Sequence, residues 1–226
     1  MKVFALGGSS SIGQAAIRVL IDAGHEVCAT YRSGVPGGLD SATWVRADVR
    51  STDDLDALAG PAEGADVLLL LPGLSMGRTI ATYDDDLVSE VVDVNFSGQF
   101  RAIQRIAPVL ADGSQIIILG SLAGQRGAGD PLYGATKGAM HALAKSLAKS
   151  LAPRTRVNVV APGMVTGTAM HDGTPPAVLD MHIKTTPTGH FISAADLARV
   201  LLDIMQPHWS QLNGACIDLN GGMYVR

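Results

Sequence analysis

A tyrosine and a lysine four residues apart are the residues of this chain best suited to acid–base chemistry. Tyr133 and Lys137 stand at the start of a long helical pattern, and helix geometry puts side chains at this spacing on one face. An ammonium group beside a phenol favours the phenolate, so we expect a lowered pKa and a role as general acid or base for Tyr133. Ser121 ends the preceding predicted strand and adds a third polar side chain.

A glycine-rich turn follows the first predicted strand and leads directly into a helix. It runs from Gly7 to Gly13 with the sequence Gly-Gly-Ser-Ser-Ser-Ile-Gly. Such a turn lets the backbone approach a pyrophosphate, whose charge meets the N–H groups at the helix start. The spacing is not G-x-G-x-x-G, so a tight turn with no ligand is the alternative interpretation.

The end of the second predicted strand indicates which dinucleotide would bind. An acidic residue at this place hydrogen-bonds the ribose hydroxyls of NAD, whereas this chain has Thr30, Tyr31 and Arg32. A guanidinium group can bind a 2′-phosphate through two N–H groups. The sequence therefore favours NADP(H), with Ser9 and Ser10 as further contacts to the same phosphate.

Strand and helix patterns alternate along the whole chain, and these are the elements that must position the side chains. The predicted strands are Lys2–Leu6, His25–Tyr31, Thr43–Arg46, Asp66–Leu71, Gln115–Leu119, Arg156–Val160 and Ala215–Leu219. The predicted helices are Ser11–Ala23, Thr52–Ala59, Asp84–Leu110, Pro131–Leu151 and Ser193–Met205. This alternation predicts a single α/β domain over residues 1–226, a doubly wound Rossmann-type parallel sheet with helices on both faces.

Further motifs accompany the tyrosine and the lysine. They are Val94-Asn95-Phe96, Leu119-Gly120-Ser121-Leu122-Ala123-Gly124, Ala47-Asp48-Val49, the run from Arg156 to Pro162-Gly163, and Asn220-Gly221-Gly222. Together they resemble the short-chain dehydrogenase/reductase family over nearly the full length of the chain. The resemblance implies a hydride transfer between a nicotinamide and a small carbonyl or alcohol.

The resemblance also assigns roles to four residues. It implies that Tyr133 exchanges a proton with the substrate oxygen and that Ser121 orients the carbonyl. Lys137 is expected to bind the nicotinamide ribose and to lower the pKa of Tyr133, and Asn95 to hold a water that relays protons from Lys137 to solvent. The expected cofactor contacts are Gly7, Ser9, Ser10, Ser11, Ile12, Gly13, Tyr31, Arg32, Asp48, Val49, Leu71, Pro72, Gly73, Tyr133, Lys137, Pro162, Gly163 and Val165.

The chain departs from the family's pattern in two cofactor motifs. Ser11 stands where the glycine turn of the family has its middle glycine, and it is strained if that position needs a positive φ. The family's N-N-A-G motif is replaced by Leu70-Leu71-Pro72-Gly73, which removes two asparagine side chains that tie the sheet to the cofactor loop. We expect these departures to change the affinity for the cofactor, and they leave the four catalytic positions intact.

The segment Ala161–Ile192 shows little regular pattern and is rich in Pro, Gly, Thr and His. We expect residues 163–192 to form a substrate loop, and the stretch Met164–Phe191 to act as a mobile lid over a mildly apolar pocket. His171, His182 and His190 have no compact metal-ligand spacing, so no metal site is expected.

Composition limits the possible partners. A net charge of −4 and 4% aromatic residues give no reason to expect a nucleic acid, and no apolar run is long enough to span a bilayer. The start of the chain is too short for a signal peptide, and Cys28 and Cys216 are expected as reduced, buried thiols, so a cytoplasmic protein is expected. The apolar helices carrying Asn95 and Tyr133 favour a homodimer or homotetramer.

Two other functions stay open at this stage. One is a dinucleotide-binding sensor or scaffold without turnover, which the altered glycine and asparagine motifs would suit. The other is a different reaction on the same scaffold, such as enoyl reduction. The complete set of Ser121, Tyr133, Lys137 and Asn95 favours the carbonyl reaction.

Overall fold

The computed structural model describes residues 1–225, and the main feature of these residues is a parallel sheet of seven strands. The strands are β1 (Lys2–Leu6), β2 (Glu26–Tyr31), β3 (Thr43–Arg46), β4 (Val67–Leu70), β5 (Ser114–Leu119), β6 (Thr155–Pro162) and β9 (Cys216–Leu219), in the order β3-β2-β1-β4-β5-β6-β9. β7 (Val165–Thr166) and β8 (Ile192–Ser193) form a separate parallel pair. The predicted fold class is confirmed.

The helices cover both faces of this sheet. They are α1 (Ser11–Asp22), α2 (Thr52–Asp56), α3 (Ala59–Ala62), α4 (Asp85–Val92), α5 (Gly98–Ile106), α6 (Ala123–Arg126), α7 (Pro131–Ser150), α8 (Ala169–Asp172), α9 (Pro176–Lys184) and α10 (Ala194–Ile204). Successive strand residues point to opposite faces, so Phe4 packs in the core formed with α5 and α7, while Val3 packs in the core formed with α1 and α10. Both cores are fully apolar, which explains the unbroken hydrophobic run of β4.

The order of the strands creates a crevice at the carboxyl ends of β1 and β4. From β1 the chain moves outward through β2 to β3, and it then returns to the other side of β1 to form β4. Parallel sheets bind ligands at such a switch point, because the loops that follow the two strands diverge there. The glycine turn follows β1, and the segment starting at Leu71 follows β4.

The long helix expected over Asp84–Leu110 is interrupted. α4 is followed by a π-helical segment at Asp93–Ser97, then by α5 and a 3₁₀ turn at Ala107–Val109. Pro108 ends the α-helical pattern because it has no N–H to donate. The π-helical segment inserts one residue into the turn and contains Asn95, which is fully buried.

The segment expected to be irregular, Ala161–Ile192, contains more structure than its composition indicated. It holds β7, α8 and α9, and its last residue begins β8. Thr168 caps α8 by accepting the N–H of His171 at 3.2 Å, and α9 starts at Pro176, a residue favoured at the first helical position. Only the connections between these helices and strands are loops.

Candidate active site

The glycine turn combines a left-handed glycine with a helix cap. Gly7 has φ +80°, and the Ser10 hydroxyl donates to the Gly7 carbonyl at 2.9 Å and accepts the N–H of Gly13 at 3.1 Å. A Cβ at Gly13 would lie 2.6 Å from the carbonyl oxygens of Gly7 and Gly8, so only glycine fits there. The turn thereby leaves the start of α1 open to an anion.

Ser11 is the first residue of α1, and every described residue with a positive φ is a glycine. The strain considered for Ser11 is therefore absent, because Gly7 makes the left-handed turn instead. Ile12 follows Ser11 in the first turn of the helix. The altered glycine motif does not by itself disable the turn.

A cavity of about 120 Å³ lies beside this turn, at the switch point of the sheet. It is lined by Gly7, Ser9, Thr30, Tyr31, Arg32, Ala47, Asp48, Val49, Pro72 and Val94. Seven of these are among the predicted cofactor contacts, so the structure brings those residues together in one place. A cavity at the switch point, beside the glycine turn, is where part of the dinucleotide that the resemblance implies would bind.

Two arginines lie near Asp48, and one of them, Arg32, lines this cavity. The Arg50 guanidinium donates to both carboxylate oxygens of Asp48, at 2.6 Å from Nη2 and 3.0 Å from Nε, and it also pairs with Glu90 at 3.1 Å. The hydrogen bond from Arg50 holds the pKa of Asp48 below its ordinary value, and the charge of Arg32 acts in the same direction. Arg50 was missed from the sequence, although it lies two residues after Asp48.

Tyr133 lies in the first turn of α7, next to Ser121 at the end of β5. The two side chains are hydrogen-bonded. Burial raises the pKa of Tyr133, the hydrogen bond with Ser121 opposes this, and the charge of Asp130 raises it further. The net shift is upward, so the lowered pKa expected from Lys137 is wrong for this structure.

Lys137 is buried, with 2% of its surface exposed, and its ammonium is directed at backbone oxygens. Nζ donates to the carbonyl of Leu119 at 2.7 Å and to that of Pro72 at 3.3 Å. Burial lowers the pKa of Lys137 to about 8. Its ammonium is thus bonded to the ends of β4 and β5, and the pKa of Tyr133 is set by burial, Ser121 and Asp130.

The residues that replace the N-N-A-G motif form the wall between Lys137 and the glycine turn. The N–H of Leu71 donates to the Leu6 carbonyl at 3.1 Å, and Pro72 packs on Gly7. A Cβ at Gly73 would lie 3.2 Å from Nζ of Lys137, which is closer than ordinary contact. Glycine at this position therefore leaves room for the lysine.

Asn95 uses both hydrogens of its side-chain amide within the protein. Its Oδ1 accepts the N–H of Leu74 at 2.7 Å, and its Nδ2 donates to the Leu74 carbonyl at 2.8 Å and to Thr136 Oγ1 at 3.1 Å. Its own carbonyl accepts from Gln99 Nε2 at 3.0 Å. In this structure Asn95 joins the segment after β4 to α7, and its role in a water relay stays a prediction.

Three further polar residues surround the catalytic positions and were missed from the sequence. Gln99 is fully buried and donates to the carbonyl oxygens of Pro72 and Asn95. His141, one turn beyond Lys137, accepts the N–H of Ser121 through Nε2 at 3.3 Å. Asp130 caps α7. The helical spacing Tyr133, Lys137, His141 and the Asp-Pro start of α7 are the signals that point to them.

The nicotinamide side of the site was predicted at Pro162, Gly163 and Val165. The N–H of Gly163 donates to the Leu219 carbonyl at 3.0 Å, and the Pro162 carbonyl accepts the N–H of Leu122 at 2.9 Å, so this strand end is fixed to both neighbours. Val165 is buried in β7. A second cavity, of about 420 Å³, lies beyond Gly163. It is lined by Gly163, Met164, Thr186, Thr188, His190, Phe191, Ile192, Asp196, Asp218, Leu219, Asn220, Gly221 and Met223.

The three histidines of this region, His171, His182 and His190, have different surroundings. The Nδ1 atoms of His171 and His190 contact Asp172 and the Thr188 carbonyl at 2.9 Å each, while burial and the charge of Arg126 lower the pKa of His182. Within residues 1–225 no three His, Cys, Asp or Glu side chains are grouped as a metal site.

Known proteins match both the sequence and the fold. A family model described as enoyl-(acyl carrier protein) reductase matches residues 7–224. The chain belongs to the short-chain dehydrogenase/reductase family. The resemblance inferred from its motifs is confirmed, and the chain is an oxidoreductase of this family.

Individual relatives of this short-chain dehydrogenase/reductase are distant but cover it fully. The 3-oxoacyl-[acyl-carrier-protein] reductase MabA of Mycobacterium avium is 29% identical over 98% of this chain and 89% of its own. A solved short-chain dehydrogenase/reductase of Brucella melitensis is 28% identical, covers 100% of this chain and 97% of its own, and has a TM-score of 0.89. A short-chain dehydrogenase of Burkholderia cenocepacia, solved with NADP, is 25% identical, with coverages of 98% and 96% and a TM-score of 0.90.

One structural observation bears on membranes. In the part of this short-chain dehydrogenase/reductase that the structure describes, each helix is too short or too polar to cross a bilayer.

Proposed function

We propose that this protein is an NADP(H)-dependent oxidoreductase that interconverts a small carbonyl compound and the corresponding alcohol. The observation that carries the proposal is the grouping of Ser121, Tyr133 and Lys137 at the carboxyl end of β5. Lys137 contacts Pro72, which packs on Gly7 of the glycine turn. The acid–base groups and the dinucleotide cavity are thus parts of one site.

In this proposal a bound NADPH supplies a hydride to the carbonyl carbon. Tyr133 donates its proton to the carbonyl oxygen; a phenol is protonated at neutral pH, and the raised pKa of Tyr133 extends this protonated state to higher pH. Ser121 donates a hydrogen bond to the same oxygen, where negative charge develops. Lys137 holds the ends of β4 and β5 through Pro72 and Leu119 and is the residue positioned to bind the ribose.

The preference for NADP(H) rests on positive charge at the end of β2. Arg32 lines the cavity and is exposed, whereas the charge of Arg50 is paired with Asp48 and Glu90. The end of β2 has Thr30, Tyr31 and Arg32 and no acidic residue that would bind the ribose hydroxyls of NAD. The Burkholderia cenocepacia relative, solved with NADP, supports this preference.

A side-by-side titration of the protein with NADPH and NADH tests the proposed cofactor preference. We expect NADPH to bind at least tenfold more tightly, a difference of about 1.4 kcal/mol. Arg32→Gln should reduce that preference, while Arg18→Gln, an exposed arginine of α1, is the matched control. Equal affinities for the two nucleotides in the natural protein would contradict the assignment.

Turnover distinguishes the carbonyl reaction from the alternatives. Because the MabA relative is named a 3-oxoacyl-[acyl-carrier-protein] reductase, a 3-oxoacyl thioester is the first substrate to assay, beside an aliphatic ketone, an aldehyde and an enoyl thioester. NADPH oxidation with the first three supports carbonyl reduction. Oxidation with the enoyl thioester alone would favour enoyl reduction, and tight NADPH binding without any turnover would favour a sensor.

The proposal also includes the oligomeric state and the cellular compartment. Phe100 of α5 and Val88 of α4 are exposed apolar side chains, at 37% and 38%, on the helices next to Asn95. We expect these helices to pair in a homodimer or homotetramer. Cys28 and Cys216 form no disulfide with each other, which fits a reducing compartment such as the cytoplasm.

A further inference from the structure

Asp130, immediately before α7, accepts more hydrogen bonds than a helix cap requires. Its Oδ1 accepts the N–H of Tyr133 at 3.1 Å and the hydroxyl of Tyr83 at 2.7 Å. Its Oδ2 accepts from the Ser75 hydroxyl at 2.9 Å and from the N–H groups of Met76 and Gly77 at 3.1 Å each. A carboxylate offers about four lone-pair sites, so these five donors saturate it.

Four of the five donors belong to the segment between β4 and α4, residues 72–83, named here the β4–α4 segment. This segment is also fixed nearer to β4, where the Pro72 carbonyl accepts from Lys137 and Leu74 is held by Asn95. Asp130 is the far attachment point, on the helix that carries Tyr133 and Lys137. The β4–α4 segment therefore lies along the first turns of α7, and four side chains hold it, those of Asp130, Asn95, Lys137 and Gln99.

We propose that Asp130 is a positioning residue that fastens the β4–α4 segment to α7 and so keeps Tyr133 and Lys137 in place relative to Pro72 and the glycine turn. The inference rests on the proposed function for its effect on turnover. Asp130 is buried, with 7% of its surface exposed, so its bonds face little competition from water. Asp130 and Asn95 both attach the β4–α4 segment through hydrogen bonds with their side chains.

A plain capping role does not account for this carboxylate. Asp84 is also an N-cap, at α4, and its bond is the single one to the N–H of Leu87 at 2.8 Å. Asp130 makes the same kind of bond to Tyr133 and adds four bonds to a segment that precedes it by about 50 residues. Asp84 is therefore the matched control for the loss of a helix cap.

The charge of Asp130 provides a second, electrostatic readout. Burial acts to raise its pKa, yet the hydrogen bonds from Tyr83, Tyr133, Ser75 and Gly77 outweigh this and leave the pKa below its ordinary value. The same charge raises the pKa of Tyr133, and burial together with Asp130 raises the pKa of Tyr83 to about 12, against the charge of Arg78. Removing the charge should therefore lower the pKa of Tyr133.

Three variants, Asp130→Asn, Tyr83→Phe and Asp84→Asn, separate the contributions. Asparagine at position 130 keeps the size of the side chain but turns an NH₂ group toward the hydrogen-bond donors. Tyr83→Phe removes one hydrogen bond and keeps the charge of Asp130. Asp84→Asn makes the same substitution at another helix cap. The first measurement is amide hydrogen exchange of the free protein over residues 72–83. We expect at least tenfold faster exchange in Asp130→Asn, a smaller increase in Tyr83→Phe, and no change there in Asp84→Asn.

The second measurement is NADPH oxidation with the best carbonyl substrate of the panel described above. Misplacement of the catalytic groups should lower kcat of Asp130→Asn by about ten- to a hundredfold with little change in KM for NADPH. Activity in reduction falls as Tyr133 loses its proton, so the alkaline limb of the pH profile should move to lower pH in Asp130→Asn and stay in place in Tyr83→Phe.

Unchanged exchange over residues 72–83 in both Asp130→Asn and Tyr83→Phe would overturn the inference. So would an equal loss of kcat in Asp84→Asn and Asp130→Asn, which would reduce Asp130 to a helix cap. If Asp130→Asn does not fold, Tyr83→Phe decides through its exchange and its kcat. If the natural protein turns over no carbonyl, the proposed function fails, whereas the exchange measurement still decides whether Asp130 fastens the segment.

Discussion

At the scale of single residues, burial acts in opposite directions on the two central groups. It raises the pKa of the Tyr133 phenol and lowers that of the Lys137 ammonium to about 8. Both shifts favour the neutral form, because a buried site solvates charge poorly. In the free protein Tyr133 therefore keeps its proton, which is the state that carbonyl reduction needs. Lys137 acts mainly through its hydrogen bonds to Leu119 and Pro72.

Replacing Tyr133 by phenylalanine removes the proton donor and leaves the cavity beside the glycine turn intact. We expect kcat for carbonyl reduction to fall by about a hundred- to ten thousandfold, the usual contribution of a positioned acid. NADPH affinity should stay within about threefold, a difference of less than about 0.7 kcal/mol. Turnover assays and a fluorescence titration measure the two effects, and near-normal turnover would show that another group donates the proton.

Lys137 should make the free energy of unfolding depend on pH. Its folded-state pKa of about 8 lies below the ordinary 10.5, so between these values the unfolded chain binds more protons and stability rises with pH. Relative to Lys137→Met, the natural protein should gain about 3 kcal/mol between pH 8 and pH 10.5. Urea unfolding at several pH values measures this difference.

The control for that experiment is Lys145→Met, an exposed lysine on the same helix. Its stability should run parallel to that of the natural protein over the same pH range. Parallel curves for Lys137→Met as well would mean that the buried ammonium does not titrate in this window.

At the scale of elements, close backbone approaches decide where the site forms. Gly13 lets α1 begin directly against the carbonyl oxygens of Gly7 and Gly8, and the π-helical segment turns Asn95 toward Leu74 and Thr136. These approaches place three elements, the glycine turn, the β4–α4 segment and α7, around one crevice. An atom added at one of these close approaches would have to displace backbone atoms, which move less easily than a flexible side chain.

Gly13→Ala tests this reasoning at the glycine turn. Its Cβ would lie 2.6 Å from two backbone oxygens, so we expect the free energy of unfolding to fall by about 1–3 kcal/mol and NADPH binding to weaken at least tenfold. Gly34→Ala is the control, because a Cβ at Gly34 meets nothing within 4 Å. Its unfolding free energy should change by less than about 0.5 kcal/mol. Equal behaviour of the two variants would contradict the role of the close approach.

The segment with β7, α8 and α9 is expected to close over the bound cofactor. Met170, Met181 and Ile183 expose 42%, 54% and 41% of their surfaces in the free protein, which leaves an apolar face open to solvent. Addition of NADPH should slow amide exchange of residues 163–192 and leave α10 unchanged. Unchanged exchange of residues 163–192 at saturating NADPH would count against a lid.

At the scale of the whole molecule, the pattern of exposed apolar side chains bears on assembly. Phe100 and Phe96 contact each other with ring centres 6.2 Å apart, and Phe100 remains 37% exposed. A surface of this kind beside the catalytic helix would be covered when α4 and α5 pair with a second copy.

The assembly should respond to a charge placed on this surface. We expect the natural protein to have a mass in solution that is twice or four times the 23.4 kDa of one chain, and Phe100→Asp to shift it to smaller species. Val35→Asp, at an exposed loop residue away from these helices, should keep the natural mass. Light scattering after size exclusion measures all three, and a monomeric natural protein would contradict the assembly.

The sequence by itself determined the fold class, the glycine turn and the pairing of Tyr133 with Lys137. These features depend on short-range patterns: alternation of strands and helices, a turn of seven residues, and a four-residue spacing on one helix. The boundaries of most strands were also predicted to within one or two residues, because buried β-branched runs end at polar or glycine residues.

Only the tertiary structure decided what the catalytic side chains contact. Lys137 donates to Pro72 at a distance of 65 residues along the chain, and Asp130 accepts from Ser75 across 55. No local pattern records such pairs, since they arise when the sheet brings the ends of β4 and β5 against α7. The same burial that creates these contacts removes water from the site, which is why the pKa of Tyr133 is raised although the neighbouring lysine predicted the reverse.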